Sequence, residues 1–291
     1  MPTLSRLLFS SLALSLTCWS AAAQPAAAPQ PVEIPPGRLS SSPAPLKAFL
    51  FEPAGPGPFP AVVMLHGCGG AYARDGTTLN ARHLMWGEYL AAHGFAALML
   101  DSFTSRGIKE ICTVKYNRRT IKESERVGDA YAALAWLDAR PEVDPQRAAL
   151  LGWSHGAGVT LDAMTRQPKD APAFRAAAAF YPGCTTRAKQ PERFHPYAPL
   201  FILIGESDDW TPAAPCEALA AAVAARGEPL RIQTFPGAYH DFDNPALKGP
   251  HVRKEVPNGV HPGQGVTVAP NPAAREEAMG RVLEFFGEPR R

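Results

Sequence analysis

The stretch Gly152-Trp153-Ser154-His155-Gly156 places a serine in the pattern G-x-S-x-G. An apolar run precedes it and a helical pattern follows it, which is the strand-turn-helix context that this pattern requires. The flanking glycines permit a sharp turn, which lifts the serine hydroxyl clear of the sheet and leaves N–H groups at the helix start free to bind an oxyanion. The stretch therefore predicts that Ser154 is a nucleophile.

A serine hydroxyl reacts only when a base takes its proton, and histidine is the usual base. His155 adjoins the serine, but neighbouring residues on a tight turn into a helix point in different directions. We therefore expect His155 to contribute its backbone N–H, as an oxyanion donor. His240, in "PGAYHDFDNP", follows a predicted strand and is the expected base. His251 and His261, in a long loop, are weaker alternatives.

The group that orients the base should lie between the serine and the histidine in the chain. The segment "LFILIGESDDWTP" supplies a buried strand followed by Asp208 and Asp209, and one of these is expected to accept the imidazole N–H. A second oxyanion donor is expected from the glycine-rich turn "MLHGCGG", where the N–H of Cys68 is the best candidate. The alternative is that these glycines serve only the conformation of the turn.

Five further residues lie close to these segments in the sequence. Arg106, in "SFTSRG", follows a strand end, and it either binds a substrate carboxylate or forms a surface ion pair. The aromatic residues either wall the acyl pocket or pack in the core, and they are Trp153, Tyr181, Trp210 and Tyr239.

Apolar runs alternate with helical patterns, and these elements must position the candidate residues. From residue 60 onward the apolar runs are typical of buried strands. The runs are 46–51, 60–66, 95–101, 147–153, 175–181, 199–205 and 230–235. The helical patterns are 79–92, 118–139, 156–166, 213–226 and 272–286. This order predicts one doubly wound α/β domain with a mostly parallel sheet, helices on both faces and ligands at the carboxyl ends of the strands. Residues 243–271 are predicted to be a long irregular segment.

The N-terminal segment differs from the rest of the chain. Residues 1–23 combine an early arginine, an apolar run and Ala21-Ala22-Ala23, which predicts a cleaved signal peptide and export to the periplasm or the medium. The apolar run is shorter than a spanning helix needs, so no stable membrane insertion is expected after cleavage. Residues 24–45, rich in Pro and Ala, are predicted to be a linker or a lead-in along a sheet edge, and 46–288 the folded domain.

Composition limits the partners. The 291 residues are 46% hydrophobic with a net charge of +2 and scattered basic residues, which argues against nucleic-acid binding and for a small-molecule substrate. In an exported chain the remaining cysteines predict one or two disulfides, with three possible pairings. They are Cys68, Cys112, Cys184 and Cys216. They lack C-x-x-C spacing, so no zinc site is expected.

The chain resembles the dienelactone hydrolase family, which has the α/β-hydrolase fold. The resemblance covers residues 45–287 and is carried by "HGCGG", "GFAALMLDSFTSRG", "VDPQRAALLGWSHGAG", "GESDDWTP" and "PGAYHDFD". In that family the acid stands three residues after the strand-end glycine and four before a proline. The resemblance therefore implies Asp208, with Pro212 following, and leaves Asp209 as a solvated bystander.

Two departures from the family pattern bear on the substrate. Well-studied dienelactone hydrolases have a cysteine nucleophile and a glutamate in the oxyanion turn, whereas this chain has Ser154 and no glutamate in "HGCGG". The resemblance then implies hydrolysis of carboxylic esters or lactones through an acyl-enzyme, with no metal or organic cofactor. A peptidase, a thioester hydrolase and a binding protein without catalysis are the alternatives.

Overall fold

In a computed structural model that describes residues 28–288, an eight-stranded sheet forms the centre of the protein. Its strands are β1 (Gln30–Ile34), β2 (Leu46–Phe51), β3 (Phe59–Leu65), β4 (Ala96–Asp101), β5 (Val143–Trp153), β6 (Ala176–Phe180), β7 (Leu200–Gly205) and β8 (Leu230–Phe235). The order across the sheet is β1-β2-β4-β3-β5-β6-β7-β8. The pairs β1–β2 and β2–β4 are antiparallel, and the pairs from β4 to β8 are parallel.

Helices connect the parallel strands, and one more helix follows the last strand. They are α1 (Ala81–Ala92), α2 (Glu123–Asp138), α3 (His155–Ala163), α4 (Thr185–Ala188), α5 (Ala213–Ala224) and α6 (Pro272–Gly287). Every residue of β4, β6 and β7 is buried, because neighbouring elements cover both sides of a parallel sheet. The arrangement confirms the predicted α/β fold with a mostly parallel sheet in a single domain.

Two segments outside the predicted elements have regular structure. Residues 30–34 form β1 at the sheet edge, where Ile34 is fully buried, so the lead-in along an edge is correct there and the linker interpretation is not. Val32 and Ile34 pack against the core, whereas Pro31 and Glu33 are exposed, which suits a strand with one covered face. Within 243–271, β9 (His251–Arg253) and β10 (Val266–Val268) form a small antiparallel sheet. The predicted signal peptide lies outside the described residues.

The order of the strands reverses at β3, which pairs with β4 on one side and with β5 on the other. The turns that follow β3 and β5 therefore diverge from adjacent strand ends and leave a crevice between them, the usual ligand position in such sheets. The loops after β7 and β8 reach the same edge. In the described part of the chain, no helix combines the length and apolar character needed to cross a membrane.

Candidate active site

Ser154 occupies a strained turn between β5 and α3. Its backbone has φ 53° and ψ −114°, a conformation that residues other than glycine rarely adopt and that is found at functional sites. The two flanking glycines allow close backbone approach. A Cβ on Gly152 would lie 2.4 Å from the carbonyl oxygen of Gly156, and a Cβ on Gly156 would lie 2.2 Å from that of Leu65. The G-x-S-x-G pattern is therefore required by packing at this turn.

The loop after β8 carries His240 to this serine. The Nε2 atom of His240 lies 3.0 Å from Ser154 Oγ, and its Nδ1 atom lies 2.8 Å from Asp208 Oδ2. A carboxylate can only accept, so Nδ1 donates to Asp208 and Nε2 is left to accept the serine proton. His240 and Asp208 are almost completely buried, which shields their contact from water. The structure thus brings together the three residues that the sequence nominates.

The loop after β7 holds Asp208 in one orientation. Its Oδ1 accepts the backbone N–H groups of Trp210, at 2.9 Å, and Thr211, at 2.8 Å, leaving Oδ2 for His240. The Thr211 hydroxyl lies 3.1 Å from both Asp208 Oδ2 and His240 Nδ1, and it contacts the Tyr181 carbonyl oxygen at 3.0 Å. Thr211 was not expected from the sequence. Only the spacing of a threonine three residues after an aspartate could have indicated it.

Asp209 points away from the histidine. Its Oδ1 accepts the backbone N–H of Thr267 and its Oδ2 accepts the Thr267 hydroxyl, each at 2.7 Å. The expectation that Asp209 is solvated is therefore wrong, because its carboxylate fixes β10 beside the site. The alternative bases, His251 and His261, are exposed.

Two residues with free backbone N–H groups line the same cavity as Ser154. Cys68, Ser154 and His155 all line this cavity, which has a volume of about 170 Å³. Within residues 28–288, the N–H groups of Cys68 and His155 have no hydrogen-bond partner. His155 is the first residue of α3, where N–H groups lack partners within the helix. These are the two donors expected for an oxyanion.

A buried arginine joins the two turns that carry these N–H groups. Arg126, on α2, is fully buried, and its Nη1 lies 2.9 Å from the His155 Nδ1 atom. Its Nη2 donates to the carbonyl oxygen of His66 at 3.0 Å, directly before the glycine-rich turn. Burial lowers the pKa of Arg126 to about 10. Sequence patterns do not distinguish it from an exposed helix arginine.

The rest of the cavity wall carries charge and aromatic surface. Tyr116, Arg119, Glu123, Gly183, Trp210, Thr211 and Asn258 complete the lining. The Glu123 carboxylate pairs with Arg187 at 2.8 Å. Arg119 has no carboxylate within ion-pair distance in the described part of the chain.

Arg106 does not reach the cavity. Its guanidinium makes two contacts of 2.9 Å with the fully buried carboxylate of Asp129 and donates to the Ser102 carbonyl oxygen at 2.7 Å. The substrate-carboxylate role is therefore corrected in favour of an ion pair, which is largely buried because α2 covers it.

The predicted aromatic residues have different positions. Trp210 lines the cavity, with its ring centroid 4.5 Å from that of His240. Trp153 does not, because it is fully buried and its indole N–H donates to Asp243 Oδ2 at 2.9 Å. Tyr239 is half-buried and is not part of the cavity lining. The substrate-binding prediction is therefore corrected for Trp153 and Tyr239.

Asp243 is a buried carboxylate that the sequence did not single out. Its Oδ2 accepts the indole N–H groups of Trp86 and Trp153, each at 2.9 Å, and its Oδ1 accepts the Tyr181 hydroxyl at 2.6 Å. The Tyr181 ring packs against His240 with centroids 4.4 Å apart. Asp243 thus connects the residue before the serine with the residue that supports the histidine. In sequence, an aspartate among Gly, Pro and Asn reads as a solvated loop residue.

The four cysteines form two disulfides, Cys68–Cys112 and Cys184–Cys216. The first ties the glycine-rich turn to the segment that leads to the cavity wall. Among the described residues, no group of three or more His, Cys, Asp or Glu side chains has an arrangement that could hold a metal ion.

Relatives in sequence match part of this chain. An uncharacterized protein found in two strains of Mycobacterium tuberculosis is 32% identical over 134 residues. The match covers 41% of this chain and 47% of the relative, so the chain spans about half the length of the curated relatives it matches.

Solved structures share the fold at low identity. Dienelactone hydrolase from Anabaena variabilis superposes with a TM-score of 0.61 at 19% identity, covering 91% of this chain and 100% of that one. Esterase 2 from Thermogutta terrifontis gives 0.62 at 19% identity, covering 89% and 93%. A puromycin-hydrolyzing peptidase from M. tuberculosis gives 0.61 at 18% identity, covering 89% of this chain and 39% of that chain.

The family model of the dienelactone hydrolase family matches residues 46–289. This range includes the turn after β3, the serine turn, and the loops that carry the aspartate and the histidine. The chain therefore belongs to the dienelactone hydrolase family.

Proposed function

We propose that the protein hydrolyses carboxylic esters or lactones through an acyl-enzyme on Ser154. The observation that carries this proposal is the continuous contact from Ser154 Oγ to His240 Nε2, at 3.0 Å, and from His240 Nδ1 to Asp208 Oδ2, at 2.8 Å. Two unpartnered N–H groups at the same cavity and membership of the family support it.

In the first step Ser154 Oγ attacks the ester carbonyl carbon while His240 Nε2 takes the serine proton. The carboxylate of Asp208 stabilises the imidazolium that forms. The N–H groups of Cys68 and His155 bind the oxyanion, and each such donor contributes about 3 to 4 kcal/mol of transition-state stabilisation. Collapse of the tetrahedral intermediate transfers the proton from His240 to the departing alcohol.

Water then enters beside His240 and cleaves the acyl-enzyme. His240 takes a proton from this water, the hydroxide forms a second tetrahedral intermediate at the same N–H groups, and the proton returns to Ser154 as the acid leaves. The nucleophile, the base, the carboxylate and the oxyanion donors that these reaction steps use all belong to the chain, so no cofactor is required.

The leaving group distinguishes an esterase from a peptidase. The fold neighbours include proteins named as a dienelactone hydrolase, an esterase and a peptidase. The cavity of about 170 Å³ has room for a small acyl group, and an ester has a better leaving group than a peptide, so simple esters are the favoured substrates. A screen of p-nitrophenyl esters of increasing acyl length, with a lactone and a peptide anilide, is expected to show ester turnover first.

The Ser154→Ala variant tests the nucleophile. Its ester turnover should fall by about 10⁴ or more. Undiminished turnover would contradict the proposal. A ligand that binds equally well to the unaltered protein and to His240→Ala, with no turnover in either, would instead identify a binding protein on this scaffold.

Export is part of the same proposal. The two disulfides favour an oxidising compartment, in keeping with the signal peptide predicted from the N-terminal sequence. Fractionation of cells that express the whole chain should place the protein outside the cytoplasm, with its N-terminus starting after residue 23. Full-length protein retained in the cytoplasm would contradict this.

A further inference from the structure

The imidazole of His155 has a fixed tautomer. Its Nδ1 atom lies 2.9 Å from Nη1 of Arg126. A guanidinium group carries donors and no acceptor, so Nδ1 must accept and the single proton of the neutral ring must stand on Nε2. Because Arg126 is fully buried and also bound to the His66 carbonyl oxygen, it holds this geometry firmly.

The surroundings of His155 keep the ring neutral. Burial, followed by the charge of Arg126 and then of Arg119 and Arg187, lowers the pKa of His155 well below its usual range. The carboxylate at the cavity wall is that of Glu123, and it already pairs with Arg187. The ring therefore presents one N–H at neutral pH and does not gain a second.

The Nε2 side of the ring is available to a ligand. His155 lines the cavity together with Ser154. Within residues 28–288 its Nε2 atom has no hydrogen-bond partner. This atom is also not one of the unpaired side-chain atoms that are fully buried. A cation that donates to Nδ1 draws electron density from the ring and makes Nε2–H a stronger donor.

We propose that His155 Nε2–H is a specificity-determining donor that binds an oxygen atom of the substrate close to the scissile ester. The preferred substrates are then esters with an ether, hydroxyl or carbonyl oxygen near that bond, in the acyl or the alcohol part. This proposal rests on the proposed ester hydrolysis. It gives the side chain of His155 a role separate from that of its backbone N–H.

The tautomer can be observed without any substitution. In protein with ¹⁵N-labelled histidine, the His155 signals should show a protonated Nε2 and an unprotonated Nδ1, unchanged through the pH range in which a free imidazole titrates. A proton on Nδ1, or titration of this ring near neutral pH, would overturn the proposal.

Matched esters test the recognition itself. p-Nitrophenyl methoxyacetate has an ether oxygen where p-nitrophenyl butyrate has a CH₂ group in the acyl chain. 2-Methoxyethyl acetate and butyl acetate differ by the same replacement in the alcohol. In His155→Phe, the ratio of kcat/KM for the oxygen-containing ester to its partner should fall about tenfold in at least one pair, as expected for one lost hydrogen bond. The exposed His195→Gln variant should keep the ratios of the unaltered protein.

Unchanged ratios in both pairs would overturn the specificity role. The double variant His155→Phe with Arg126→Met removes the buried donor that the single variant leaves unpaired, and it should give the same fall if the single variant is unstable. If the proposed ester hydrolysis itself is wrong, the unaltered protein hydrolyses none of the four esters, and this result is distinct from unchanged ratios.

Discussion

The Asp208→Asn variant is expected to keep its fold and lose most of its ester turnover, because the site determines how the new amide is oriented. Asp208 Oδ1 accepts two backbone N–H groups, from Trp210 and Thr211. An asparagine that keeps these bonds must place its carbonyl oxygen there and its NH₂ group against His240. The His240 Nδ1 atom then has to accept, so its proton moves to Nε2, which faces Ser154 and can no longer take a proton.

The opposite orientation of the amide would set its NH₂ group against two backbone donors. Leaving two partly buried N–H groups unpaired costs about 1 to 3 kcal/mol each, so this orientation is rare. The corresponding substitution in a serine protease lowers kcat about 10⁴-fold. We expect a similar loss here, equivalent to about 5.5 kcal/mol in the barrier.

The assay is kcat/KM for p-nitrophenyl acetate near neutral pH, with the unfolding midpoint measured in parallel. Asp209→Asn is the matched control, because its side chain contacts Thr267 and not His240. It should retain turnover within about tenfold of the unaltered protein. Asp208→Asn with more than a tenth of the normal turnover, or an equal loss in both variants, would refute the assigned orientation.

Three further predictions concern stability. Asp243→Asn should lower the free energy of unfolding in urea by about 3 kcal/mol, because the amide cannot accept all three buried donors, and an unchanged midpoint would contradict this. Cys68→Ala with Cys112→Ala should cost about 4 kcal/mol for a loop of 44 residues and lower kcat more than it raises KM. Loss of stability alone would show that this disulfide does not position the oxyanion turn. Burial raises the pKa of Asp138 to about 6. The charged carboxylate therefore opposes folding once the pH rises above the pKa that this carboxyl has in the unfolded chain. Asp138→Asn should therefore stabilise by about 1 kcal/mol at pH 8, after allowance for partial exposure, and by nothing at pH 3; a gain of equal size at both would contradict the shift.

Much of the fold could be predicted because its signals are local. Buried parallel strands are continuous apolar runs, and each of the runs from residue 46 onward is a strand in the structure. The serine, aspartate and histidine follow such strands directly, so the order of the strand ends already placed them at one edge. β1 was less visible because it pairs at the sheet edge, and only a few of its residues are covered.

Interactions across the fold could not be predicted. Arg106 and Arg126 are both arginines near chemistry-bearing segments, yet one pairs with Asp129 and the other joins the two oxyanion turns. Arg106 reaches α2 from another segment and meets Asp129 there, whereas Arg126 belongs to α2 and extends to the two turns. Asp243 likewise acquires its partners only when the loop after β8 folds back over the two tryptophans. Sequence spacing carries no information about contacts between residues this far apart.

The most direct test of the acyl-enzyme is to trap it. The protein is mixed with p-nitrophenyl acetate, quenched in acid within the first turnovers, digested and mapped by mass spectrometry. The mechanism predicts one acetyl group per chain on Ser154, absent in Ser154→Ala and formed far more slowly in His240→Ala. Ester turnover with no acetyl group on Ser154, or with the acetyl group on another residue, would contradict it.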